Sequence, residues 1–382
     1  MRFISKLTIT RRILLLILIP LIGILMVSAD ELRNIWIKKT AANNIVEAIQ
    51  LAPAIANLVH QLQVERGHSA GFIGSKKQNF ANELPGSRIA TDKTLKIFIE
   101  KLPYSEKNLT FYHFQKPLKE VKSALAKLET KRTQINNLSL SVKDMAGYYT
   151  PLIDNLLTLI ETFEEATNDA DIIRELIIYT SFLRAKEFAG LERAMGAAGF
   201  SAGKFNKAVY KGFVGYVANQ KVNFDTYKHH ANKEQMKNLM NVLNGDANKK
   251  IKQIRLLAYE NPFGGDVSSV SAKEWFALTT KRINELKVVE DIISDELIHI
   301  SADHAEHQNF SFMIYTVILL SLAMITAILS YMISKTISAQ FCQLGPHDSR
   351  ATKFQWKIAR IISVTWQKPY PSLRQMPLNA PV

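Results

Sequence analysis

Phe310–Ser334 reads FSFMIYTVILLSLAMITAILSYMIS and contains no charged side chain. At a helical rise of about 1.5 Å per residue, it is long enough to cross a hydrocarbon core about 30 Å thick. A second uncharged run, Ile13–Ala29 (ILLLILIPLIGILMVSA), is marginal alone and is extended by flanking residues such as Ile9. Residues 30–309 between them are mixed and rich in helix formers, with little strand-like alternation. The expectation is an all-α protein in which two transmembrane helices flank a periplasmic domain of antiparallel helical bundles.

Charge sets the orientation. Arg2, Lys6, Arg11 and Arg12 precede the first run, and Asp30 and Glu31 follow it. Lys335, Arg350, Lys353, Lys357 and Arg360 follow the second run, against the single acid Asp348. Lys and Arg are retained on the cytoplasmic side. The predicted plan is a basic cytoplasmic N-terminus (1–12), a first span (13–29), a periplasmic domain (30–309), a second span (310–334) and a cytoplasmic tail (335–382). That is a two-pass protein of a bacterial inner membrane, in contact with lipid and expected to be a homodimer. A cleaved signal peptide ending near Val27-Ser28-Ala29 is the competing reading of the first run. Much of the net charge of +14 falls in the two ends, so topology accounts for it and nucleic acid is not expected as a partner. The one cysteine, Cys342, leaves the 30–309 segment without a disulfide, so its core must hold it together.

Within that segment, Ile45, Ile49, Ala52, Ile55, Val59 and Leu62 recur at steps of three and four, one face of a helix. Pro53 falls inside and predicts a kink or junction. A second stripe carries Leu176, Tyr179, Leu183, Lys186, Gly190, Arg193 and Ala197. Further helices are expected near 90–102, 112–139, 142–166, 206–219, 231–243 and 271–308, the last running on into the second apolar run. Breaks are expected at Pro85-Gly86, Asn244-Gly245-Asp246 and Asn261–Gly265.

Two segments are distorted copies of each other. Glu65-Arg66-Gly67-His68-Ser69-Ala70-Gly71-Phe72 compares with Glu192-Arg193-Ala194-Met195-Gly196-Ala197-Ala198-Gly199-Phe200. Both arginines fall on apolar stripes. A buried guanidinium keeps its proton, so it must be paired or solvated. Glu65, Glu187 and Glu192 are candidate internal partners. The alternative is an anionic ligand, for which the planar fork suits carboxylate, phosphate or a flat oxyanion. Pattern alone leaves both open.

Gln63–Ser75, with Arg88-Ile89-Ala90-Thr91-Asp92, resembles the first signature of the nitrate- and nitrite-sensing domain family. Lys186–Ala194 resembles its second, and Trp275–Ile283 a block near its end. The resemblance covers roughly residues 40–300. It implies stacked helical bundles that bind nitrate or nitrite through arginines. Carried over by position, the ligand arginines are Arg66 and Arg193, with Arg255 a weaker match. Glu65, Gly67, Ser69, Lys186, Glu187 and Glu192 are the supporting motif. Such domains resemble the sensory part of methyl-accepting chemotaxis proteins and kinases. Ile333-Ser334-Lys335-Thr336-Ile337-Ser338 resembles the start of a HAMP relay, although Gln340 stands where proline is usual. After Leu344 the helical pattern stops, and Pro369, Pro371, Pro377 and Pro381 follow. The expected ending is therefore a truncated HAMP start with a disordered tail. The alternative is a short tail meeting lipid through Lys353, Lys357, Arg360, Trp356 and Trp366. The expected function is a membrane receptor passing a nitrate-driven helix shift inward. Alternatives are an inactive receptor fragment acting as an interaction partner, or a sensor of another small anion. No phosphate loop, nucleophile motif or metal-ligand spacing appears, so no cofactor, metal or enzymatic activity is expected.

Overall fold

The computed structural model describes residues 9–109 and 112–343, and every regular element among them is helical. In chain order these are α1 (Ile9–Gly74), α2 (Glu83–Asn108), α3 (Tyr112–Leu125), α4 (Leu128–Asn136), α5 (Val142–Glu161), α6 (Ala170–Ser201), α7 (Lys207–His230), α8 (Lys233–Leu243), α9 (Asp246–Glu260) and α10 (Ala272–Gln343). Arg2, Lys6, the tail from residue 344 onward and the Cys342 side chain lie outside the described residues.

The chain divides into two compact units, and α1 and α10 each contribute to both. One unit is Asn34–Phe312. The other comprises the described parts of Met1–Arg33 and Met313–Val382, where apolar side chains such as Met26, Val27, Leu320, Met324 and Tyr331 are exposed. Among the described residues, α1 and α10 are long and apolar enough to cross a membrane by length and composition. The most apolar window found in α1 is 61% buried within the protein, whereas none of that in α10 is buried.

In the Asn34–Phe312 unit the stripe from Ile45 to Leu62 is fully buried. It packs into one core with Leu152, Leu156 and Ile160 of α5, Leu176, Tyr179 and Leu183 of α6, and Leu286, Ile293 and Leu297 of α10. A smaller, aromatic core gathers Phe200, Phe205, Phe213, Ile251, Val267 and Trp275. Side-chain oxygens close several helix starts: Ser141 at α5, Asp169 at α6, Asn206 at α7, and Asn232 in a capping box with Gln235 at α8.

Contacts fix the helix directions. Phe182 meets Phe224, Phe188 meets Tyr216, and Met195 borders Gly212, so α6 and α7 are antiparallel. The bond from Tyr148 Oη to the Ala124 carbonyl and the Phe114–Phe163 ring contact make α3 antiparallel to α5. By contrast, Gln63 meets Glu187 and Gly67 meets Arg193, so α1 and α6 run side by side in the same direction.

Two expected breaks fall elsewhere. α1 continues through Pro53. Pro85 and Gly86 lie in the first turn of α2, where proline costs no intrahelical hydrogen bond. The break before them lies between Gly74 and Glu83, where Lys76, Lys77 and Phe80 adopt positive φ.

Candidate functional site

The parallel pair α1 and α6 brings the two Glu-Arg copies to the middle of the bundle. Each glutamate is clamped by arginines from later helices. Glu65 accepts from Arg132 Nε at 2.7 Å and Nη2 at 2.9 Å, and from the Tyr149 hydroxyl at 2.8 Å. Glu192 accepts from Arg255 Nε and Nη2, both at 2.7 Å, from Arg282 Nη2 at 3.0 Å, and from Gln220 at 2.7 Å. Burial alone would raise the Glu192 carboxyl, but Arg282 and Arg255 pull it down to about 2. These are bidentate, water-excluded pairs, and they tie α1 to α4 and α6 to α9 and α10.

The arginines of the two copies fare differently. Arg66 pairs bidentately with Glu187 of α6, at 2.7 and 3.0 Å, and Nη1 also donates to Thr150 at 3.0 Å. Gln63 donates to the same carboxylate at 2.7 Å. Arg193 is 9% exposed and, among the described residues, has no carboxylate within ion-pair reach. Its Nη1 donates to Thr280 at 2.9 Å, and its guanidinium carbon lies 4.8 Å from the centre of the Phe276 ring. Burial, and then repulsion from Arg66, pull its pKa down to about 10, so it stays charged at neutral pH. A Cβ on Gly67 would come within 3.3 Å of Arg193 Nη2, so the glycine lets the guanidinium lie against α1.

Beside Arg193 is a cavity of about 60 Å³, lined among others by His60, Gln63, His68, Phe276, Thr280 and Asn284. That is the scale of a few water molecules or of a four-atom oxyanion. Phe80, from the positive-φ segment, stacks on His68 at 5.2 Å and meets Phe276 at 5.7 Å. The Nδ1 atoms of His60 and His68 are buried and have no hydrogen-bond partner among the described residues. Burial, and then Lys186, Lys287 and Arg193, push His60 down to about 3. Burial and Arg193 lower His68 as well. Both imidazoles are therefore neutral at neutral pH.

The predicted residues thus separate. Arg193 and Gly67 line the cavity, whereas Arg66 lies one layer away, with its Nη2 3.6 Å from where a Gly190 Cβ would be. Arg255 is not brought to the cavity, because its guanidinium is taken up by Glu192. Lys186 forms a fully buried ion pair with Glu290. Ser69 is buried, and its hydroxyl has no partner among the described residues. Sequence reasoning missed Arg132, Arg282, His60, Thr150 and Thr280. All but His60 come from helices distant in the chain; Thr280 and Arg282 lie in the Trp275–Ile283 block, which carried no site role, and no local pattern marks Arg132 or Thr150.

The family model for nitrate and nitrite sensing matches residues 57–298. The nitrate regulatory protein of Klebsiella oxytoca is 24% identical over 275 residues, covering 69% of this chain and 65% of the relative. The solved structure of the NasR transcription antiterminator superposes with a TM-score of 0.66 at 22% identity, covering 91% of this chain and 90% of that one. At that identity the likeness concerns the fold.

These comparisons correct the frame expected from the apolar ends. The relatives are a regulatory protein and an antiterminator, neither described as a chemotaxis protein or membrane receptor. The two-pass inner-membrane topology with 30–309 periplasmic, the HAMP relay, the chemotaxis-type output, the lipid partner and the homodimer are withdrawn. So is the exclusion of nucleic acid. The frame rested on length, apolarity and basic flanks; the relatives, and not burial, correct it, since apolar side chains of both end runs stay exposed.

Proposed function

The chain belongs to the nitrate and nitrite sensing family, and on that premise we propose that its helical domain binds nitrate or nitrite in the cavity beside Arg193. It is not an enzyme. The carrying observation is a buried, uncompensated guanidinium at a cavity of about 60 Å³. An unpaired buried charge is costly, and an anion with planar oxygens removes that cost while accepting the fork. Thr280 holds the guanidinium in place, and His60 and His68 offer imidazole nitrogens to the remaining oxygens. The bound anion bridges α1, α6 and α10, so occupancy favours one packing of these helices over others. That the relatives are a nitrate regulatory protein and a transcription antiterminator supports a regulatory outcome for that shift.

Calorimetric titration of the full chain with nitrate and nitrite tests the reading. Binding by the parent that Arg193→Ala loses is expected. A folded parent that takes up neither anion overturns it.

A further inference from the structure

Six residues before Arg193 stands Glu187, and six residues before Arg66 stands His60. Counted from the two Glu-Arg copies, these positions have the same offset along their helices. Because α1 and α6 are parallel, each arginine looks across at the other helix. Arg66 of α1 reaches Glu187 of α6. Arg193 of α6 faces the cavity that His60 of α1 lines. A threonine from a third helix holds each arginine, Thr150 of α5 accepting from Nη1 of Arg66 and Thr280 of α10 from Nη1 of Arg193. What differs is the side chain at the answering position: a carboxylate in one half, an imidazole in the other.

Resting on the function proposed above, we infer that His60 sets the selectivity of the site: standing where the other half carries Glu187, it leaves the Arg193 guanidinium uncompensated, and the cavity takes one small monoanion. The charges around His60 are consistent with this. From α6 it faces Lys186 and Arg193, and from α10 Lys287. Lys186 is neutralised by Glu290, and Lys287 by Glu290 and Asp291. Glu187 is occupied by Arg66, and the neighbouring His68 is held neutral as His60 is. One positive charge is left over at the cavity. A monoanion cancels it. A dianion such as sulfate would leave a buried negative charge without a partner.

Calorimetry on the full chain at pH 7.5 tests this with sodium nitrate, nitrite and sulfate, on the parent, His60→Glu and His60→Gln, with thermal melts alongside. The parent should bind sulfate at least about tenfold more weakly than nitrate. His60→Gln keeps the position neutral but removes the imidazole, so nitrate should weaken while the preference over sulfate is preserved. His60→Glu should reproduce the Arg66–Glu187 arrangement, weaken nitrate by about a hundredfold and melt no lower than the parent. Nitrate binding by His60→Glu at parental strength overturns the inference, as does equal sulfate and nitrate binding by the parent. If His60→Glu fails to fold, His60→Gln decides: a lost or reversed preference for nitrate overturns it. A parent that binds neither nitrate nor nitrite overturns the proposed function as well. A parent that binds while His60→Glu is unaffected overturns this inference alone.

Discussion

Arg66 and Arg193 occupy equivalent turns of two parallel helices, each after a glutamate and each held by a threonine, yet they do different work. Arg66 is a strut, its fork filled by Glu187. Arg193 is a held but unneutralised cation. The lesson is that a buried arginine's role is decided by what answers it from the opposite helix. The Glu-Arg pair and the Gly-Phe that follows are present in both halves.

The sharpest way to break this contrast is to delete each arginine in turn. Arg66→Ala strands the buried Glu187 carboxylate, so urea unfolding should show a loss of about 3–5 kcal/mol. The double variant with Glu187→Ala should recover much of that loss. Arg193→Ala strands no acid. It should cost about 1.5–3 kcal/mol of nitrate binding, roughly ten- to hundredfold by calorimetry, and leave the melt nearly unchanged. If Arg66→Ala is mild and Arg193→Ala unfolds the protein, the two roles are reversed.

Acid should separate two stages of stability loss. The folded pKa of His60, about 3, lies below its ordinary 6.5, so the unfolded chain takes up the proton first. Its contribution is full above pH 6.5 and is lost as pH falls toward 3. Glu192 is depressed from 4.5 to about 2, so its contribution is full above 4.5 and is lost below it. Urea melts from pH 8 to 3 should show stability falling already between 6.5 and 4.5, by up to about 1.4 kcal/mol per pH unit for each imidazole kept neutral. His60→Gln should flatten that upper stage, with His68 supplying what remains. An unchanged upper stage would mean that His60 titrates in the fold as it does in the unfolded chain.

The smallest effect is expected at Gly67. Alanine there meets Arg193 Nη2 at 3.3 Å, the far end of a flexible side chain. Gly67→Ala should weaken nitrate only a few-fold, while helix propensity raises stability by up to about 1 kcal/mol. A larger loss of binding would show that Arg193 cannot shift at all.

Much of this was legible in the chain, and the illegible part has physical causes. The stripe from Ile45 to Leu62 and the two Glu-Arg copies are local patterns, and α1 and α6 place them as their spacing implies. Which arginine would be paired was not legible, because Glu187 and His60 acquire their meaning only when α1 and α6 lie side by side. Arg255 was carried over as a weaker positional match to the family pattern, and its pairing with Glu192 has no signature in a linear sequence. Arg132 was invisible for the same reason, and the Trp275–Ile283 block showed Arg282 without showing its partner Glu192. The apolar ends suggested a receptor because length, hydropathy and basic flanks carry no information about what kind of regulatory protein a sensing domain belongs to.

The Trp275 indole N–H donates to the Arg193 carbonyl at 3.0 Å, and the ring is fully buried in the space that Gly196 leaves open. The chain thereby carries a light-emitting group attached to the very residue whose charge an anion would cancel. Indole emission shifts with the electric field across the ring, so filling the cavity should change the colour or yield of Trp275 without any added dye. Replacing Trp36, Trp356 and Trp366 by phenylalanine would leave that single emitter as an optical gauge of occupancy in the working protein.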